Sequence, residues 1–255
     1  MRRILTALVL IPIVVYVVVW ADYRIFLAVL AAVSCLCYRE YNEVAAGYGF
    51  GAPGVLGYGL GLALLAWQGQ TWLLLVGGAL LIFTLAMRLE DLSHALPRSA
   101  LLVTGVVYIF GCWKCAMPLR EASPHWLMYG LMLNWAGDSG AYFIGRRFGK
   151  HKLAPRVSPK KTWEGAAASV VTSILLAGGY LLRFLPQVPV LNIVLLTAAA
   201  NVAGQIGDLA ESAMKRGAGV KDSGSILPGH GGFLDRVDSS LFALPVIYAY
   251  LLLVG

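Results

Sequence analysis

The sequence predicts an all-α, polytopic integral membrane protein. Two observations carry this reading. Only 13% of the residues are charged and 59% are hydrophobic, with a mean hydropathy of +0.74, whereas a soluble domain carries about 25% charged residues. The apolar residues also fall in repeated runs close to the ~20 residues that a spanning helix needs.

About nine runs meet that length criterion. They lie at 4–20, 22–38, 54–68, 71–87, 99–118, 124–145, 165–185, 190–210 and 239–254. The first, within MRRILTALVLIPIVVYVVVW, is too long for a signal-peptide core, and no A-x-A-like site follows it. It reads as a retained first helix. The third and fourth are separated only by Gln68-Gly69-Gln70 and read as a tight helical hairpin. Gly- and Ala-rich stretches at 165–179 and 197–204 permit close helix packing, within one chain or between two copies in a homodimer. No segment reads as a separate soluble domain. Residues 1–130 form the N-terminal helices and 131–255 the region with the polar motifs, within one integrated membrane domain.

Basic residues orient the stack, because cytoplasmic loops are enriched in Lys and Arg. With Arg2 and Arg3 inside, the inner segments also hold Arg39, Arg88, Arg98, the basic 146–161 loop, Lys215, Arg216, Lys221 and Arg236. Outside remain only Arg24, Arg120 and Arg183, and Lys114 falls within a span. The expectation is a multi-pass protein of the cell (cytoplasmic or inner) membrane with its N-terminus cytoplasmic and its C-terminus outside. The net charge of +7 is then a cytoplasmic-face charge that meets anionic headgroups. No aromatic-studded basic patch points to nucleic acid. Cys112-x-x-Cys115 has metal-like spacing, but it lies in an apolar run without His partners, so it reads as buried thiols.

Ionisable residues beside apolar spans are costly and mark function by default. They concentrate in two inner segments. The first runs from Asp138 through Arg146, Arg147, Lys150 and Lys152 to Ser158-Pro-Lys160-Lys161-Thr162-Trp-Glu164-Gly165. Asp138 suits either an ion pair with Arg146 or Arg147 or a substrate site. Thr162 is placed to cap the next helix, whose N-terminus favours anions. With Lys160 and Lys161 beside it, this segment suits a polyphosphate.

The second segment runs from Asp208 to Asp238. Asp208, Glu211 and Ser212 share a helix face. Asp235 and Asp238 lie one turn apart at the start of the last span. Mg²⁺ wants oxygen ligands, typically one or two carboxylates plus substrate phosphates, and Asp208 and Asp235 can supply that. The competing reading of these acids is charge pairing with Lys215, Arg216 and Arg236. Pro228-Gly-His230-Gly231-Gly232 permits positive φ and close backbone approach to a phosphate. Both segments leave spans on one side of the membrane, so they are expected to face each other across one site.

These residues resemble the integral-membrane phosphatidate cytidylyltransferases, also called CDP-diacylglycerol synthases. That family's pattern is S-x-Φ-K-R-x4-K-D-x-small-x2-Φ-P-x-H-G-G-Φ-x-D-R-Φ-D, with Φ apolar. Ser212, Lys215, Arg216, Lys221, Asp222, Gly224, Pro228, His230, Gly231, Gly232, Asp235, Arg236 and Asp238 fill every fixed position. Asp138 to Gly165 is also similar, notably Ser158-Pro-Lys-Lys-Thr and Glu164-Gly165, whereas residues 1–130 match only as generic membrane helices. The resemblance implies CTP + phosphatidate → CDP-diacylglycerol + pyrophosphate, dependent on Mg²⁺, the first committed step toward phospholipids made through CDP-diacylglycerol. The substrates would be CTP and phosphatidic acid, the latter drawn from the membrane lipids. Asp208 and Asp235 are then the metal ligands, with Asp238 and Asp222 as second choices. Lys215, Arg216, Lys221 and Arg236 bind phosphates. Lys160 and Lys161 hold the triphosphate or lipid phosphate, with Asp138, Ser158, Glu164, Gly231 and Gly232 also on the substrate. His230 orients a phosphate or shuttles a proton. The rival readings are a CTP-dependent lipid kinase, which would release CDP, and a transporter, whose charges should line a path through the spans. A non-catalytic scaffold has no need for clustered carboxylates and glycines.

Overall fold

A computed structural model describes residues 2–226 and 231–254. The chain is helical almost throughout. The helices are α1 (Arg2–Val19), α2 (Tyr23–Ala46), α3 (Val55–Ala66), α4 (Thr71–Ala86), α5 (Leu92–Ala122), α6 (Pro124–Phe148), α7 (Trp163–Phe184), α8 (Val190–Gly217) and α9 (Asp238–Val254). Each expected span has its helix. Of these, α2, α5, α7 and α8 are long and apolar enough to cross a membrane, and α3, α4, α9 and the Leu10–Val19 part of α1 are shorter apolar helices. The 25-residue α6 carries Asn134, Asp138, Ser139, Arg146 and Arg147 and belongs to neither group. Many large apolar side chains remain exposed, among them Trp20, Val55, Trp72, Leu80, Leu175, Leu191 and Leu253. Exposure on that scale marks a surface made for something other than water, here the acyl chains.

One element was not expected. The basic loop after α6 forms a small antiparallel hairpin, β1 (Lys152–Ala154) with β2 (Ser158–Thr162), Lys152 opposite Thr162 and Ala154 opposite Ser158. Pro159 fixes an extended backbone there, and the hairpin delivers Lys160 and Lys161 directly to the start of α7. Thr162 caps α7 as anticipated, its Oγ1 accepting the Gly165 N–H at 3.2 Å.

Two basic residues of α5 close helix ends. Lys114 Nζ donates to the carbonyls of Leu64 (2.8 Å) and Trp67 (2.6 Å), at the C-terminus of α3. Arg120 donates to Val18 O (2.9 Å) and Ala21 O (2.5 Å) beyond the end of α1, and its guanidinium lies 4.6 Å from the Phe26 ring centroid. The last carbonyls of a helix have no intrahelical donor, and in a bilayer no water replaces one. Each cation is therefore anchored by carbonyls that also need it.

The C-terminal half is built on two close pairs, α6 along α7 and α8 along α9, with α1 against α6. Small residues permit the approach. A Cβ at Gly137 would come 2.5 Å from Ser169 Oγ, and one at Gly204 would come 2.7 Å from Asn134 Oδ1. The seam is polar and internally satisfied. Asn201 donates to Ser169 Oγ (3.0 Å) and Ser173 Oγ (2.9 Å), Gln205 donates to Asn201 Oδ1 (2.6 Å), and Asn134 donates to Ser240 Oγ (3.0 Å). Such bonds fix helix register where burial alone cannot.

Candidate active site

Above this seam lies a cavity of about 1220 Å³. Its walls are α6 (Asn134, Asp138, Tyr142, Arg146), the hairpin (Lys152, Lys160, Lys161, Thr162), α8 (Asn201, Gln205, Asp208, Lys215) and the 233–239 segment with Asp235, Arg236 and Asp238. α1 adds the apolar side chains of Leu10, Ile11 and Val14 to the wall. One cavity thus joins a charged end to an apolar flank. The two polar segments do face each other, and the direct link is Lys161 Nζ, 2.5 Å from Asp208 Oδ2. Ser212 Oγ donates to the other oxygen of Asp208 at 3.4 Å.

Asp138 opens into the cavity, where Asp208 is a like-charged neighbour and Lys161 and Arg236 are opposite ones. Among the described residues its ion pair with Arg146 or Arg147 is not formed. Eight or nine residues along a helix separate them by roughly 12 Å or more. Arg146 instead donates to Tyr142 Oη (2.8 Å), and Arg147 lies over the Phe148 ring. Asp238, buried at the N-terminus of α9, faces Asp208, Glu211 and Asp138, and its Oδ1 accepts the Ser239 N–H at 2.6 Å.

Lys215 is the most heavily bracketed cation. It is buried, and its Nζ pairs with Glu211 Oε2 and Asp235 Oδ1. Glu211 is itself 1% exposed, and neither of its oxygens receives a well-aligned hydrogen bond. Asp235 accepts further bonds from Ser223 N–H (3.1 Å) and Gly232 N–H (2.8 Å). Burial opposes its ionised form, but Lys215 and these two amides outweigh it and hold the carboxyl below the ordinary Asp value.

Several expected site residues point elsewhere. Arg216 donates to Val220 O (3.0 Å) and so closes the end of α8. Glu164 receives the His151 ring at 2.6 Å and the His151 N–H at 3.3 Å, and it is not part of the cavity wall. Ser158, Lys221 and Asp222 also lie off the wall. The Gly232 N–H is spent on Asp235, while Gly231 has the positive φ (81°) expected of it. Pro228 and His230 lie outside the described residues.

One residue was missed by sequence reasoning. Glu40 of α2 is fully buried. Its carboxylate accepts Ser223 Oγ–H (2.9 Å), Phe233 N–H (2.8 Å) and Leu234 N–H (2.7 Å). It therefore ties Ser223 to the Phe233–Leu234 backbone. Gly224 and Gly232 are small for its sake: a Cβ would come 2.7 Å from Glu40 Oε1 or 2.5 Å from Glu40 Oε2 respectively.

A cation held by carboxylates and substrate phosphates fits this donor set. Asp138, Asp208, Asp235 and Asp238 all line the cavity. Among the described residues no three His, Cys, Asp or Glu groups are gathered closely enough to hold a metal unaided.

Fold and site together define a polytopic helical membrane protein whose cavity combines clustered lysines, an arginine and carboxylates with an apolar wall. The family model for cytidylyltransferases matches residues 1–254, and the chain belongs to that family. It is 39% identical over 177 residues to a protein of Bacillus subtilis (strain 168) named phosphatidate cytidylyltransferase, covering 68% of this chain and 65% of that one. Proteins of the same name from Staphylococcus haemolyticus (39% over 157 residues) and Haemophilus influenzae (46% over 123 residues) are also similar. The matched segments span 62% and 47% of this chain, and 58% and 43% of those relatives.

Proposed function

We propose that the protein joins CTP to phosphatidate, forming CDP-diacylglycerol and releasing pyrophosphate, and that its cavity opens to the cytoplasm. The observation that carries the reading is the cavity itself. Lys160, Lys161, Lys215 and Arg236 meet acidic Asp138, Asp208 and Asp238 at one end, and Leu10, Ile11 and Val14 supply an apolar flank. A phosphate-rich headgroup on a lipid body needs both. The cytoplasmic opening rests on the basic residues around it.

In this reaction a phosphatidate oxygen attacks the α-phosphorus of CTP, and the bond to the β-phosphate oxygen breaks in line. No protein nucleophile is required. The chain contributes alignment and charge stabilisation. Lys160 and Lys161, fixed by the hairpin, bind the triphosphate. Lys215 and Arg236 face the charge that gathers on the departing pyrophosphate. Asp208, Asp235 and Asp238 would hold Mg²⁺, which when bound neutralises phosphate oxygens. Asp235 also accepts from Lys215 and from the Ser223 and Gly232 amides, which fix its position.

The test is pyrophosphate release by detergent-purified protein given CTP, Mg²⁺ and phosphatidate, with each omitted in turn. Release that needs all three, with a CDP-lipid product, supports the proposal. CDP formed from a lipid alcohol moves the protein to the lipid-kinase class. Release undiminished by EDTA removes the metal.

A further inference from the structure

We infer that Glu40, in the N-terminal half of the chain, is a positioning residue of the reaction centre, acting through Ser223, Phe233 and Leu234. The inference rests on the reaction proposed above for what is positioned. Its structural part stands on Glu40 alone. A fully buried carboxylate has accepted three donors from residues 183 to 194 positions away. Two of these, the Phe233 and Leu234 amides, immediately precede Asp235 and Arg236, which line the cavity. The third, Ser223, is shared: its hydroxyl goes to Glu40 and its amide to Asp235. Glu40 and Asp235 are thus two clamps on the same pair of chain segments. If Leu234 shifts, Asp235 and Arg236 shift with it, and Lys215 loses one of its two counter-charges.

Glu40 touches none of the residues assigned to triphosphate binding on the hairpin. Its loss should therefore lower kcat and spare KM. Glu40→Gln keeps the shape but replaces one acceptor oxygen by an NH₂ group that must face a donor. Asp keeps both acceptor oxygens on a shorter stem.

The experiment compares Glu40→Gln, Glu40→Asp, Ser223→Ala and the Glu40→Gln/Ser223→Ala pair in the full-length, detergent-purified protein. Glu40→Gln is expected to cut kcat about tenfold or more, in line with the cost of small misplacements at a reacting centre, with KM for CTP within about threefold. Glu40→Asp should recover part of the rate. The double variant should fall little below Glu40→Gln, because coupled residues are non-additive. A Glu40→Gln kcat within about twofold of wild type, no recovery with Asp, or additive losses overturn the inference. If Glu40→Gln does not fold, Ser223→Ala decides: a kcat loss with KM unchanged supports it, and an unchanged kcat overturns it. If the wild type makes no CDP-lipid, the proposed reaction fails separately. Amide exchange at Phe233 and Leu234 then tests the clamp: slow in wild type and faster in Glu40→Gln upholds it, and equal rates overturn it.

Discussion

Lys161 Nζ and Asp208 Oδ2 lie 2.5 Å apart, joining the β2–α7 junction to α8 in the cavity wall. Both side chains keep about a third or less of their exposure (27% and 31%), so the pair is partly screened and contributes modestly to stability. In the proposed reaction the pair would hold a cation and an anion ready for the triphosphate and its Mg²⁺. Lys161→Ala should raise KM for CTP or for phosphatidate about tenfold, equivalent to ~1.4 kcal/mol, while thermal stability changes little. Steady-state kinetics with each substrate varied in turn checks this. Unchanged KM for both removes Lys161 from the site. Asp208→Asn should raise the Mg²⁺ concentration needed for half-maximal rate, a titration that separates metal binding from simple pairing.

Lys215 presents the opposite balance. It is buried between Glu211 and Asp235. Removing the shared cation leaves two acids facing each other in a dry site. Lys215→Met should therefore destabilise the fold by about 3–5 kcal/mol, the range for breaking a buried pair. Adding Glu211→Gln should recover part of the melting temperature. A Lys215→Met protein that melts with the wild type would show the site to be wetter than the structure has it.

Gly232 tests the clamp sterically. A Cβ there would collide with Ser223 Oγ and come 2.5 Å from Glu40 Oε2. Gly232→Ala should cost about 1–3 kcal/mol through overpacking and lower turnover with it. Gly77→Ala, where a Cβ meets nothing within 4 Å, is the matched control and should leave both melting temperature and rate unchanged.

The helices were legible because apolar run length is a strong signal in a membrane protein. The cavity was legible in part. Asp138, Lys160, Lys161, Asp208, Lys215, Asp235, Arg236 and Asp238 all reach it, since each is an ionisable group beside an apolar span. Arg216 and Glu164 were drawn in by the same logic but are spent locally, on Val220 O and His151. Charge in a motif does not say which way a side chain turns. Glu40 carries the same signal as Asp138, a carboxylate within an apolar helix. Arg39 beside it in sequence masks that signal, yet successive residues do not face each other on a helix, and Arg39 pairs with Glu43 at 3.1 Å. The partners of Glu40 lie across the whole chain, and helix-to-helix register is not written in apolar periodicity.

Asp235 predicts the pH response. Its carboxyl is held below the ordinary Asp value by Lys215 and the Gly232 and Ser223 amides, against the opposing effect of burial. A group with a depressed folded-state pKa stabilises the fold fully above its unfolded value, ~3.9 for Asp, and that contribution disappears as pH falls through the folded value. The melting temperature of the wild type should accordingly be insensitive to this group near neutrality and decline on acidification below about pH 4. Asp235→Asn lacks the charge at every pH. The gap in melting temperature between wild type and Asp235→Asn should thus be widest near neutral pH and narrow steadily in acid. A gap that stays constant down to pH values well under ~3.9 would mean that the Asp235 charge contributes nothing to holding the loop, and that its amide contacts alone suffice.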